Sequence, residues 1–247
     1  MNSLGKEIVF LDSTASTNTY AAALVESGEA SHGTVVAAGF QTSGKGQAGN
    51  KWESEKDKNL TFSIVLFPER VPASAQFSLS MVVSAGIAHA LMRHMGGIRI
   101  KWPNDIYAGD DKIAGILIEH AVSGNRIGHT IAGIGMNVNQ TVFTSDAPNP
   151  VSMKLISGID YDTKVVLAEV LESVGRQYDL LTAGGKHAIE EEYNRLLYRK
   201  DEWHRFTSEG TVFTGMIMGV GESGELILKN GSGGVNSYLF REIEYIL

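Results

Sequence analysis

The chain has 247 residues, 43% of them hydrophobic and 20% charged, which is ordinary globular usage and excludes disorder and fibrous repeats. A chain this long buries roughly 70% of its unfolded surface and needs no staple, and without cysteine it offers no disulfide, thiolate nucleophile or iron–sulfur ligand set. Its 21 basic and 28 acidic residues leave a net charge of −7, the wrong sign for nonspecific attraction to nucleic acid or anionic lipid. The start, MNSLGKEIVFLDST, lacks the pattern of a signal peptide, and apolar runs elsewhere are broken short of the ~20 residues of a membrane span. A soluble, cytoplasmic protein is expected.

In chain order, residues 7–11 read as a strand, and Ser16-Thr17-Asn18 offers cap chemistry for a helix that Gly28 stops. Strands follow at 33–40 and 60–67, the second with clear alternation, separated by a loop from Gln41 to Lys58 rich in Gly, Lys and Ser. A helix is expected from about Ser74 to His94, stopped by Gly96-Gly97. Strands come next at 98–102, 112–121 and 127–138, then helices at about 163–182, behind Thr163, and 186–198. Past Lys200, β-rich pieces at 203–206, 210–218, 225–229 and 235–246 alternate with glycine turns, as in a small barrel. The expected fold is α+β: a mixed sheet backed by helices over residues 1–200, and a small C-terminal β-barrel over 201–247.

Two motif matches fail on context. Gly39-x-x-x-x-Gly44-Lys45 resembles a phosphate loop, but Gly46 stands where a Ser or Thr would hold magnesium, and no helix pattern follows. Gly219-x-Gly221-x-x-Gly224 resembles a dinucleotide fingerprint, but a strand follows it, so a hairpin turn is expected. His89 and His94 lie five apart, not at the four-residue spacing of a helical metal pair, and read as ordinary helix residues.

Other segments carry chemistry. The loop Gln41–Trp52 has glycines at 44, 46 and 49 that let its backbone approach an anion, with Lys45 and Lys51 for charge and Trp52 for an aromatic face. In Lys101-Trp102-Pro103-Asn104-Asp105 a strand runs into proline and ends, leaving Asn104 and Asp105 as turn residues. Lys112 stands at the mouth of the apolar strand KIAGIL, suited to a carboxylate or phosphate. Gly133 and Gly135 lie inside a strand, where glycine marks close approach.

Taken together, STN (16–18), Gln41 with the glycine loop to KW (51–52), KWPND (101–105), KIAGIL (112–117) and GIGMNVN (133–139) resemble the biotin protein ligase family, in order, over residues 6–200. The resemblance implies the biotin–lipoate ligase catalytic fold, similar to class II aminoacyl-tRNA synthetases. It implies activation of biotin by ATP to biotinyl-5′-adenylate, then transfer of biotin to a lysine of a biotin carboxyl carrier domain. By the same match Ser16, Thr17, Asn18 and Gln41 hold the biotin rings. Lys45, Gly46 and Gln47 cover the carboxyl–phosphate junction, and Lys112 binds the carboxylate and then the adenylate. Gly115, Gly133 and Gly135 line the biotin slot, while Gly44, Trp52, Asn104 and Asn137 serve the nucleotide. Asp105 accepts a proton or hydrogen bond from the incoming lysine, and a turn-capping role for it stays open. Magnesium is expected with ATP, with no protein metal site.

The family's loop is arginine-rich where this chain has Gln47, Ala48 and Asn50. Many relatives also carry an N-terminal helix-turn-helix; none precedes Ser16, so no DNA partner is expected. A homodimer through sheet edges and a monomer both fit. A lipoate ligase of the same fold and a non-catalytic biotin-binding module are the alternatives.

Overall fold

The structure, a computed structural model, describes residues 4–145 and 148–246, apart from the side chain of Ala48. Its first half is β1 (Ile8–Leu11), α1 (Thr17–Glu26), β2 (Val35–Ala38), β3 (Leu60–Leu66), α2 (Phe77–Leu91) and β4 (Ile98–Lys101). α2 is shorter than its apolar pattern implies: Ala73–Ala75 form a 3-10 turn before it, and residues 92–94 are turns after it. β4 ends before the cis Trp102–Pro103 bond. Then come β5 (Asp105–Ala108), β6 (Asp111–Ser123), β7 (Arg126–Met136), α3 (Met153–Ser157), α4 (Thr163–Thr182) and α5 (Lys186–Leu196).

Two of these elements escaped the sequence reading. Asp105 is the first residue of β5, not a turn residue, because it pairs with Lys101 on one side and Gly115 on the other; pairing on both flanks overrides the low strand propensity of Asp. α3 spans only five residues, too few for helical periodicity to register. The α4 cap is also one residue early: the Asp162 side chain, not that of Thr163, accepts from Lys164 N.

The seven strands form one sheet in the order β1-β2-β3-β7-β6-β5-β4, parallel only between β1 and β2. Alternation sorts β3 between two environments. Phe62, Ile64 and Leu66 join the core beneath α2 and α4, while Val65 packs toward α1 with Ala21, Val36 and Ile131. Thr61 and Ser63, on the α1 side of the strand, are as buried as the apolar positions. That face is not solvated. It carries the site.

The tail forms a second, antiparallel sheet of β8 (Trp203–Ser208), β9 (Thr211–Val220), β10 (Leu226–Asn230), β11 (Val235–Tyr238) and β12 (Glu244–Tyr245), in the order β11-β10-β9-β8-β12. Gly219–Gly224 lies in the β9–β10 hairpin, as its context implies. The linker between the sheets is pinned at both ends, Leu197 bridging Ile100 at the β4 edge and Lys200 bridging Ile217 of β9. Trp102 Nε1 donates to Gly224 O at 2.8 Å, and Phe206, Ile217 and Leu226 join the same apolar core as the first sheet.

The segment Ala73–Leu91, containing α2, is long and apolar enough to cross a membrane by length and composition, and two thirds of it is buried inside the fold. It is the core helix. α4 packs so closely on it that a Cβ on Gly86 would lie 2.6 Å from Val174 Cα. His89 of α2 lies 2.5 Å from Glu192 of α5, and His94, in the turn after α2, lies 2.6 Å from Glu169 of α4.

Candidate active site

One row of residues crosses the first sheet through consecutive pairings: Lys101, Asp105, Gly115, Gly135 and Thr61. Cross-strand partners share a face, so Lys101, Asp105, Gly115 and Gly135 floor a cleft, with Gly133 and Leu117 in the next row toward α1; Thr61 and Ser63 continue the two rows beneath its lining. The cleft holds a cavity of about 350 Å³.

At its closed end the α1 N-terminus is tied to the sheet. Ser16 occupies the N-cap position without a capping hydrogen bond. Gln41 Oε1 instead accepts from Thr17 N at 2.7 Å and from Thr17 Oγ1 at 3.2 Å, satisfying one of the amides that a helix start leaves open. Ser63 Oγ lies 2.7 Å from Thr17 Oγ1 and 2.6 Å from Asn18 Oδ1, and Asn18 Nδ2 donates to Glu119 Oε2 at 2.7 Å. A Cβ on Gly133 would collide with the Asn18 amide, so this glycine admits Asn18 as well as lining the cavity.

The glycine loop folds over the middle. Lys45 and Lys51 face each other across a single antiparallel bridge, closed by Gly46 N donating to Asn50 O and capped by the 3-10 turn Gln47–Gly49. Lys45 Nζ donates to Thr19 Oγ1 at 3.1 Å. Trp52 lies on Gly115 and Gly135, where a Cβ on Gly135 would collide with the indole; its Nε1 is buried without a partner.

Lys112 Nζ sits 2.7 Å from Asp105 Oδ2 and 5.9 Å from the centre of the Trp52 ring. Lys101, opposite Asp105, donates to Tyr107 OH at 3.0 Å and lies over the rings of Tyr107 and Tyr245. Burial holds the Lys101 ammonium below the ordinary lysine value; Asp105 opposes that shift, while Lys112 and Arg199 add to it. Asn104 is buried, its amide donating to Ile116 O.

A second cavity, of about 440 Å³, adjoins the first and shares Asn50, Lys51, Trp52 and Lys112 with it. Its other walls include Asn137, Phe143, Pro148 and Pro150. Asn137 Nδ2 donates to Val151 O at 3.0 Å, but its buried Oδ1 has no partner.

The structure gathers nearly every residue singled out in the sequence. Ser16, Thr17, Asn18, Gln41, Lys45, Gly46, Gln47, Trp52, Asn104, Asp105, Lys112, Gly115, Gly133 and Gly135 all line the first cavity. Asn137 lines the second instead, and Gly44 lines neither, sitting where a Cβ would lie 2.8 Å from Trp52 O. Sequence reasoning missed Phe240, Ile243, Glu244 and Tyr245, which close the cleft from the second sheet. No local signal marks them, since Phe240 packs on Trp102 and Tyr245 lies under Lys101, each more than 130 residues away.

A mixed sheet with a two-chambered cleft, a lysine at the junction and a glycine loop above it defines a ligase-type catalytic domain. The model of the biotin/lipoate A/B protein ligase family matches residues 10–137, and the chain belongs to that family. Among curated proteins, the bifunctional ligase/repressor BirA of Bacillus spizizenii is 29% identical over 240 residues, covering 93% of this chain and 71% of the relative. The biotin–[acetyl-CoA-carboxylase] ligase of Paracoccus denitrificans is 29% identical over 206 residues, covering 80% and 85% of the two chains. Among solved structures, biotin protein ligase from Aquifex aeolicus in complex with biotin and ATP superposes with a TM-score of 0.81 at 26% identity, covering 98% of this chain and 100% of that one.

Proposed function

We propose that this protein activates biotin with ATP to biotinyl-5′-adenylate, releasing pyrophosphate, and transfers the biotinyl group to a lysine of a biotin carboxyl carrier domain. One observation carries the reading: two adjoining chambers meet at Lys112, one lined by Ser16, Thr17, Asn18 and Gln41, the other by Asn137 and Phe143. The relatives' names support the same chemistry.

In this reading the polar floor hydrogen-bonds the fused rings of biotin and the glycine rows leave room for them. The carboxylate points at Lys112 and attacks the α-phosphate, with pyrophosphate leaving. Two anions must meet, so the chain's task is alignment and charge neutralisation, with no protein nucleophile. Lys112, Lys45 and Lys51 provide positive charge at the junction and rim. The second chamber takes the nucleoside, with Asn137 and Phe143 in its walls. In the second step the acceptor lysine attacks the acyl carbon, AMP leaves, and Asp105 takes up the amine proton.

No group of three His, Cys, Asp or Glu side chains that could hold a metal occurs among the described residues. Magnesium binds through one or two carboxylates plus phosphates, so it would arrive on ATP. Residues 1–200 form the catalytic unit and 201–247 a C-terminal unit at the cleft mouth. We place the protein in the cytoplasm; its net charge of −7 disfavours nonspecific DNA binding, and a salt-resistant, sequence-selective gel shift would overturn that point.

The decisive test is ATP–pyrophosphate exchange on the purified chain. Biotin-dependent exchange is expected; exchange that ignores biotin or prefers lipoate overturns the reading.

A further inference from the structure

Glu53 follows Trp52 directly, at the rim of the second chamber, and is part of its lining. Its carboxylate gathers donors from a segment more than 90 residues away. Oε1 accepts from Thr144 N at 2.9 Å and Thr144 Oγ1 at 3.1 Å, and Oε2 accepts from Ser145 N at 2.7 Å. Two consecutive amides converging on one carboxylate form an anion-holding arrangement of backbone dipoles. Phe143 and Ser145, on either side of Thr144, line the same chamber.

The other side of this contact is anchored in the core. Gln140, almost fully buried, accepts from Glu55 N at 2.9 Å and from Asn59 Nδ2 at 2.6 Å, and donates to Val142 O at 2.8 Å. Asn59 Oδ1 in turn accepts from Val138 N at 2.9 Å. The chain on both sides of the contact, at 55–59 and 138–142, is therefore cross-braced. Glu53 extends the brace outward to the point where the wall faces the cavity. Burial works to raise the Glu53 pKa, but the hydrogen bonds from Ser145 and Thr144 outweigh it and hold the carboxyl below the ordinary glutamate value.

We propose that Glu53 is a positioning residue that latches the 143–145 wall to the segment following the glycine loop, holding the second chamber closed around the nucleotide. The proposal rests on the reading of that chamber as the ATP site.

The test compares wild type, Glu53→Ala and Glu53→Gln in two assays. In pyrophosphate exchange, Glu53→Ala is expected to raise the KM for ATP about tenfold while kcat and the KM for biotin stay within about twofold, with Glu53→Gln intermediate because one oxygen still accepts. Hydrogen exchange is expected to show the Thr144 and Ser145 amides losing protection in Glu53→Ala. An unchanged KM for ATP, or equal rises for both substrates, overturns the latch. Calorimetric titration of ATP into wild type and Glu53→Gln requires neither catalysis nor the harsher variant: weaker binding by Glu53→Gln is expected, and equal Kd values overturn the latch. Wild type that binds ATP but shows no biotin-dependent exchange overturns the proposed reaction and leaves the latch to be judged by the two Kd values.

Discussion

Lys112 Nζ lies 2.7 Å from Asp105 Oδ2, although Lys112 is three residues from Gly115, the direct partner of Asp105. In a regular strand an odd separation puts two side chains on opposite faces. The ladder between β5 and β6 shifts register between Ile106 and Tyr107, so that Ala114 pairs with Ile106 and Lys112 with Tyr107, and Ile113 becomes the extra residue of a bulge. Bulges re-aim side chains at functional sites. This one turns Lys112 onto the cleft floor, against the carboxylate proposed for the second half-reaction.

That pairing separates the two steps experimentally. Lys112→Ala is expected to slow adenylate formation by about a hundredfold, the scale for losing one electrostatic stabiliser. Asp105→Asn, which keeps the shape but cannot take a proton, is expected to slow transfer to the carrier more than adenylation. Single-turnover measurement of each half-reaction checks both.

Two glycine-to-alanine changes should divide stability from function. In Gly86→Ala the new methyl meets the α4 backbone, with Val174 Cα at 2.6 Å and its N at 2.8 Å. Helices that must move apart lose about 1–3 kcal/mol by overpacking, so this variant melts lower. In Gly135→Ala the methyl meets the Trp52 side chain at the cleft, which can swing away. Its melting temperature should stay near that of wild type while binding of biotin and ATP weakens. Thermal melts and calorimetry on the pair decide.

Gln47 lines the first cavity at the turn of the glycine loop. An arginine there would add a charged hydrogen bond to the phosphate of the adenylate, worth on the order of 1 kcal/mol over a neutral one. Gln47→Arg is therefore expected to slow the release of biotinyl-adenylate. Dissociation rates measured at one salt concentration test this, and equal rates mean that backbone and lysines already hold the loop.

The Glu192–Arg195 pair within α5, joined by His89 of α2, should carry an acid-sensitive share of stability. Hydrogen bonds from Arg195 hold Glu192 down at about 2 against an ordinary 4.5; burial opposes the shift and His89 adds to it. A carboxylate depressed in the folded state contributes fully above its unfolded value and loses that contribution as pH falls toward the folded one. The destabilisation caused by Glu192→Gln should accordingly be larger at pH 7 than at pH 3 in urea unfolding. The same difference at both pH values would contradict the assignment.

Much was legible without coordinates. Local patterns placed ten of the strands and helices up to β7 and α5, because alternation and helical spacing are set by neighbours a few residues away. The motifs KWPND and KIAGIL, with the glycine loop, identified the cleft residues because each is a contiguous run. Tertiary structure decided the rest. Whether Lys112 faces Asp105 depends on a bulge, and a bulge exists only relative to the strand it pairs with. That Asp105 is a strand residue depends on Lys101 and Gly115 lying at its sides. Phe240–Tyr245 at the cleft mouth and Thr144–Ser145 on Glu53 are contacts across a hundred residues or so, made by packing. Side-chain type and spacing encode which face an element buries; they carry no record of which distant segment arrives to cover it.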